Sequence, residues 1–481
     1  MRGKKNTVHI SWYIAACACG VLLGIALAPY VTHSFTSTQL LIGGVATFAF
    51  SCIKRLRALL LIAVFSGFCF GLARATSELQ ARNSYATIFE TSVTIMGTVR
   101  QDVTTKNNGN THVVLKDIQI QNVSYPGAVW VRTRDTVRIR RSDRVVVKGF
   151  AIEGFGSFPL ALYHAQIVSL APDKNDTGRR IRDWFANGVS VAISQPQAAL
   201  GNGFLLGQQS DLPEELEQNL RVVGLTHIVV ASGYNLTILV RFARRRFIKI
   251  SKFAAAVGAG GMILGFVSLT GLSPSMTRAG LVTGLSLVAW YYGRSIRPFV
   301  LLLIAAGVTA LVQPTYVWGD LGWYLSFAAF TGIIIVAPLL QHYFWGTKKP
   351  GFIRQLVVEA IAAQALTVPI IAYSFGQYAP LAIPANLLVL PLIPFTMALT
   401  AIGGLAGVVA PTIAPTFGAP ASGVISYILY VTEKLASIPV AKAEVRVGTS
   451  FLIVSYAIIA LFCAYLYRAT RHDFEQDNIV L

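Results

Sequence analysis

Residues 224–239 read GLTHIVVASGYNLTIL, so that His227, Ser232, Gly233 and Asn235 interrupt a stretch of otherwise lipid-soluble side chains. A polar side chain in hydrocarbon gives up its water, and an ionised one at the centre of a helix costs on the order of 3 kcal/mol. A membrane segment that keeps such residues therefore turns them toward protein or water rather than lipid. Gly233 beside Ser232 is also a place for the helix to break, and backbone groups freed there need the same protection. The bland alternative is an interfacial histidine with Ser232 and Asn235 bonded to a neighbouring helix.

The rest of the chain has the composition that such a segment requires. Of 481 residues, 54% are hydrophobic and 13% charged, and apolar runs recur along most of the length, as in a polytopic α-helical membrane protein. They fall near 10–30, 38–53, 56–74, 225–240, 253–271, 276–292, 298–313, 321–340, 355–376, 384–408, 421–437 and 449–467, which makes about twelve spans, with any Gly/Pro-rich one a candidate for re-entry. Forty Lys+Arg against 21 Asp+Glu give a net charge of +19, and in such a protein the excess belongs mainly to cytoplasmic loops. RFARRRFIKISK, GRSIRP, GTKKPGFIR and YRATRH all fall on one side of a single alternation. That side is expected to be the cytoplasm, with both termini there. The N-terminal MRGKK and its apolar run read as a retained first helix, not a cleaved leader. Cys17, Cys19, Cys52, Cys69 and Cys463 lie in apolar segments and imply no disulfide framework.

Between about 75 and 175 the long apolar runs give way to period-two alternation: SVTIMGTVRQ, THVVLKDIQI, GAVWVRTR, DRVVVKGFAI and LYHAQIVSL. Five short strands separated by turn residues predict a small antiparallel barrel or sandwich, placed by the charge alternation outside the cytoplasm. The region 176–224 that follows is amphipathic, and is expected to lie along the membrane surface or re-enter it.

The outer region carries seven basic residues, Arg132, Arg134, Arg138, Arg140, Arg141, Arg144 and Lys148, with Trp130, Phe150, Phe155, Phe158 and Tyr163 nearby. Cations for phosphates and aromatic faces for bases suit a single-stranded nucleic acid; a basic face toward acidic headgroups has the same composition. In the membrane part, LSPSMTRAG sets Arg278 little more than one turn inside a helix begun by Ser273 and Pro274. A cation near the positive end of a helix wants an anion, either Asp320 or a passing phosphate. Asn386 in IPANLLVLPLIP sits between prolines that kink a helix and open carbonyls. No phosphate loop, HExxH or binuclear-metal set is present, so no catalytic residue, metal ligand or cofactor is expected. A Ser232–His227 hydrolytic pair is disfavoured, because residues five apart lie about 140° apart around a regular helix.

Taken in order, FLLGQQSDLPEELEQNLRVVGLTHIVVASGYNLTILV, SPSMTRAG, GDLGWYLSFAAFTGI and NLLVLPLIP resemble the ComEC competence family, the inner-membrane channel for single-stranded DNA in transformable bacteria. The outer region is similar to that family's oligonucleotide-binding (OB) fold, with SDRVVVKGF as a barrel strand. The resemblance implies channel-lining roles for His227, Ser232, Gly233, Arg278 and Ser326, and Asn235 and Asn386 are expected to line the same path. It implies DNA-binding roles for the seven basic residues above. Where the family commonly has a second histidine, this sequence has Asn235. Many members continue into a metallo-β-lactamase-like domain, whereas this sequence ends at YRATRHDFEQDNIVL, so degradation of the second strand is expected of another polypeptide. The chain holds no ATPase motif. Pulling is therefore expected of a cytoplasmic ATPase or single-strand-binding protein docked on the inner loop Arg244 to Lys252, with receptor or pilus machinery delivering DNA outside.

The expected map is 1–74 membrane helices, 75–175 outer β domain, 176–224 connecting region, 225–467 channel domain and 468–481 cytoplasmic tail. Two rival readings are a small-molecule or lipid transporter with an accessory outer domain, and an intramembrane serine hydrolase using Ser232.

Overall fold

The computed structural model describes residues 9–31, 37–54, 59–105, 111–135, 137, 139–173, 175–208, 212–229, 233–271, 273–294, 297–346, 350–441 and 443–471. Arg138 and Ser232 lie outside these residues. The chain divides into two compact units, Met1–Asp173 with Ile296–Tyr324, and Lys174–Ser295 with Leu325–Leu481.

The first unit joins membrane helices to the β domain. Helix α1 (Ile10–Leu27) packs along α3 (Leu60–Asn83), and α2 (Ser37–Lys54) packs on α3 as well. The α1–α3 crossing is made of glycines facing backbone. A Cβ on Gly20 or Gly24 would overlap the carbonyls of Val64 and Phe68, and one on Gly67 or Gly71 those of Cys17 and Val21. Small residues at such a crossing let two helices approach to backbone contact, which is how membrane helices gain packing energy without a hydrophobic drive. Gly307, in the helix Pro298–Val312, meets Ala18 of α1 in the same way. Helix α3 runs on to Asn83, past the expected boundary at 74, and the β domain begins correspondingly later.

That domain is a closed five-stranded barrel of β1 (Ser92–Val99), β2 (Thr111–Ile120), β3 (Val129–Thr133), β4 (Arg144–Glu153) and β5 (Leu160–Ala171). The strands run β1–β4–β5–β3–β2, and β2 pairs back onto β1 to close the ring. All five expected strands are present. The pairs are antiparallel except β3–β5, which is parallel, because β4 is inserted between them in sequence and closes the ring on their other side. Alternation decides the core: Val129 and Val131 point inward on β3, Val145 and Val147 on β4, beside Ile95, Leu115, Leu160 and Leu162. Short pieces at Thr104–Thr105 and Val123–Tyr125 pair antiparallel with β2.

The second unit is helical. Its first helix, α4 (Thr177–Ala192), is capped by Asp176, whose carboxylate accepts the Arg179 N–H at 2.8 Å. Its Arg179 and Arg182 are buried while Ile181 and Trp184 are 50% and 56% exposed, the reverse of a helix in water. It also packs lengthwise on another helix, Gly188 meeting Gly404 and Val408. After it come α5 (Gln197–Leu206), α6 (Gly233–Phe247), α7 (Lys252–Leu269) and α8 (Pro274–Tyr291). Next are α9 (Leu321–Thr331, which crosses the division between the units), α10 (Phe352–Phe375) and α11 (Ala382–Val389). The last three are α12 (Ile393–Val409), α13 (Ala414–Ala436) and α14 (Thr449–Thr470).

Among the described residues, seven helices are long and apolar enough to cross a membrane, or eight if the pair Glu214–Val222 and Thr226–Phe247, bent by 114°, counts as one span. This is fewer than the twelve expected. The helix Pro298–Val312 has 15 residues, short of a bilayer's hydrocarbon core. The described apolar part of α2 is Thr38–Phe48. Helices α8 and α13 are long enough but diluted by Arg278 and hydroxyls in the one and by Pro420, Glu433 and Lys434 in the other. The expected span at 225–240 falls in the second arm of the bent pair, with residues 230–232 outside the described ones.

Candidate functional site

Strand alternation presents the outward residues of the barrel together. On β4, Arg144, Lys148 and Phe150 are exposed while Val145, Val147 and Gly149 face in. On β3, Trp130 and Arg132 point out, and the ladder sets Arg132 opposite His112 and Trp130 opposite Val114 of β2. Trp130 is the centre of an aromatic array. His112 stacks on it at 4.9 Å between ring centroids with planes 25° apart; Phe155 meets it edge-on at 5.2 Å and Tyr163 at 5.5 Å. Phe158 extends the array from Phe155 at 5.6 Å. Such edge and offset contacts add about 0.5–1.5 kcal/mol each beyond burial, and fix the rings in place.

The β4–β5 loop carrying Phe155 and Phe158 is pinned at its base. Arg82, at the end of α3, donates from Nη2 to the Gly156 carbonyl at 2.8 Å, and its guanidinium lies 5.8 Å from the Trp318 ring. Gly156 has φ +56, a conformation that favours glycine.

The basic residues do not form one stripe. Arg134, Arg140, Arg144 and Lys148 are exposed and Arg132 half-buried, but Arg141 is 5% exposed. It belongs to a turn held by acids: Asp143 accepts the N–H of Arg140 at 2.9 Å and of Asp173 at 3.3 Å, and Asp102 accepts the Arg141 N–H at 3.4 Å. Arg141 is thereby corrected from the outer face to the interior of that turn. His112 was missed by sequence reasoning, although the THVV alternation places it on the outward side of β2.

In the second unit the polar residues of 224–239 sit in two neighbourhoods. Gly224, at φ +76, lies against the start of α11: a Cβ there would be 2.6 Å from that of Ala382. The turn it makes carries His227, whose Nδ1 is 3.0 Å from the Gly224 carbonyl. His227 is exposed between the fully buried Leu225 and Ile228. Asn386 lies one turn further along α11 from Ala382 and is buried. The second neighbourhood begins at Gly233, the first residue of α6. A Cβ there would stand 3.1 Å from Ala279 of α8 and 3.8 Å from the Phe330 ring of α9. Ala279 follows the buried Arg278, and Phe330 is one turn beyond the half-buried Ser326. Three stretches far apart in sequence, carrying Gly233, Arg278 and Ser326, are thus brought together. Asn235 is fully buried and donates from Nδ2 to the Phe204 carbonyl of α5 at 3.0 Å. Asp320, expected as an anion for Arg278, accepts the Trp323 N–H at 2.7 Å and so caps α9.

No solved structure matches the chain. Among curated proteins it is similar to ComE operon protein 3 of Bacillus subtilis (strain 168), 27% identical over 221 residues that make up 44% of this chain and 26% of that protein. The chain therefore matches about a quarter of that relative's length. The profile of the family described as "Competence protein" matches residues 204–471, more than half of the chain. That stretch contains Gly233, Arg278 and Ser326 together with the turn of His227 and the helix of Asn386. With several apolar helices of membrane-crossing length, the chain is a membrane protein and belongs to the competence protein family.

Proposed function

We propose that the chain conducts a single strand of DNA across the bacterial cytoplasmic membrane during DNA uptake, and that its barrel, on the outer side, is the capture surface. The observation that carries this reading is the aromatic array around Trp130, with Arg132 two residues along the same strand and Arg144 and Lys148 facing outward on β4. Unpaired bases expose π-faces that stack on such rings irrespective of sequence, while phosphates follow the cations. Duplex DNA hides those faces.

A five-stranded barrel supports the OB reading, and in that type the face of the second and third strands and the loops after the first and fourth bind oligonucleotides. His112, Trp130, Arg132, Phe155 and Phe158 lie on those elements. Domain boundaries then follow the elements: membrane helices to about residue 83, the capture barrel over 92–171, and the competence region from 204 onward.

In the membrane part His227 is the accessible member of the path, whereas Asn235, Arg278 and Asn386 are packed. The path is closed around them, and the strand passes when the Gly233–Ala279–Phe330 contact gives way. Ser232 completes the set in sequence. Arg278 meets phosphate as the contact opens, and the neutral groups let the strand move on. Termini lie inside; a separate motor draws on the strand there through the exposed Arg245, Arg246 and Lys249, a separate nuclease removes the other strand, and receptor machinery supplies DNA outside.

Full-length protein in neutral detergent tests the capture step by fluorescence anisotropy. The expected result is binding of a labelled single-stranded oligonucleotide well above that of the same sequence as duplex, falling steeply with salt. Equal binding of both forms would contradict base stacking at Trp130.

A further inference from the structure

A second cationic, aromatic site lies at one end of the helical unit, where α6 ends, α7 begins and α8 ends, and it stands independently of the DNA reading. The Arg244 guanidinium lies 5.1 Å from the Trp290 ring centroid and the Lys252 ammonium 5.6 Å from the same centroid, with Tyr291 5.9 Å from Lys252. Two cations share one indole. The ring's quadrupole offsets part of their charge but not their mutual repulsion.

Among the described residues neither cation is in an ion pair. The charged neighbours of Arg244 include two further cations, Arg241 and Arg245. The sequence holds no acid between Glu217 and Asp320. Glu359 of α10 is within electrostatic reach of Arg241, and it is hydrogen-bonded by Gln355 at 2.7 Å. Lys252 also opens α7, adding charge at the positive end of a helix whose cap is the Ser251 hydroxyl, 2.9 Å from the Ala254 N–H. Nη1 of Arg244 is shielded from solvent and has no hydrogen-bond partner among the described residues. The turn between α6 and α7 is fixed against α7: a Cβ on Gly258 would be 2.5 Å from the Phe247 ring. Two cations are thus held over one ring, with an N–H of Arg244 turned away from solvent.

The surroundings say which anion. Next to Lys252 and Trp290, Phe253 is 65% and Tyr292 71% exposed, and one turn along each helix Val257 and Val288 are exposed too. Large apolar side chains left uncovered beside cations fit a molecule with a phosphate at one end and hydrocarbon at the other. We propose that this site binds an anionic phospholipid, its phosphate held by Arg244 and Lys252 over Trp290 and its acyl chains laid along Phe253, Val257 and Val288.

The test is native mass spectrometry of the full chain released from bilayers of equal phosphatidylglycerol and phosphatidylcholine. Wild type is expected to retain phosphatidylglycerol at least fivefold over phosphatidylcholine. The double variant Arg244→Gln/Lys252→Gln should lose that preference, while Arg245→Gln/Arg246→Gln, which removes the same charge from the same turn, should keep it. Equal loss in both pairs would overturn the proposal in favour of a general charge effect. So would displacement of the lipid by a single-stranded oligonucleotide whose binding the first pair alone abolishes, since the site would then hold strand phosphates.

Discussion

Trp130 makes ring contacts with His112, Phe155 and Tyr163, so its replacement separates stacking from charge. Trp130→Ala is expected to weaken single-strand binding by about 1–3 kcal/mol, the range for one stacked base, without changing its salt dependence. Arg144→Gln with Lys148→Gln should do the reverse: a modest loss of affinity, and a log–log salt slope shallower by about 1.4 if both side chains meet phosphates, at about 0.7 per contact on a single strand. Anisotropy titrations between low and moderate salt measure both quantities, and a slope unchanged in the double variant removes these residues from the interface. Arg141→Gln belongs to a different class. Its side chain is buried in the Asp102–Asp143 turn, so it should lower barrel stability, with the salt slope of the remaining folded protein unaltered.

Helix contacts set what the membrane elements tolerate. Gly67 and Gly71 of α3 face the carbonyls of Cys17 and Val21, whereas Gly43 of α2 has open space beside it. Gly67→Leu forces α1 and α3 apart and is expected to cost at least the 1–3 kcal/mol typical of overpacking, read as a lower melting temperature in detergent or reduced membrane level. Gly43→Leu should change neither. Gly233→Val is argued on the same ground: its Cβ would press on Ala279 at 3.1 Å, prising α6 from α8. DNA import should change while the protein still inserts. Import at the parental rate would remove this crossing from the path.

At the scale of the whole molecule, the five barrel strands were legible because period-two alternation with turn residues between is a strong local signal. The parallel β3–β5 pair was not, since pairing partners are set by ring closure and not by any one strand. Apolar runs were legible as helices, but their number as spans was not. The helix Pro298–Val312 stops at 15 residues, and a 114° bend separates Glu214–Val222 from the arm Thr226–Phe247 that carries His227 and Gly233. Length and continuity of the folded helix decide those cases, and hydropathy alone does not carry them. The polar residues of 224–239 were visible as a set, but their division into a turn on α11 and a crossing with α8 and α9 depends on contacts with Ala279, Phe330 and Ala382, far along the chain. His112 was overlooked because one histidine in a strand carries no signal until Trp130 is found against it.

The central claim is that this chain carries the strand across the membrane. The direct measurement is delivery of end-labelled DNA into a DNase-protected cytoplasmic state, in cells with the gene deleted, restored, or restored as Arg278→Gln or His227→Ala, with membrane levels of each protein checked. The account predicts that deletion abolishes delivery while DNA still binds the cell surface, that restoration recovers it, and that each variant at parental level reduces it at least tenfold. Delivery unchanged on deletion, in cells without a second such gene, would contradict the account.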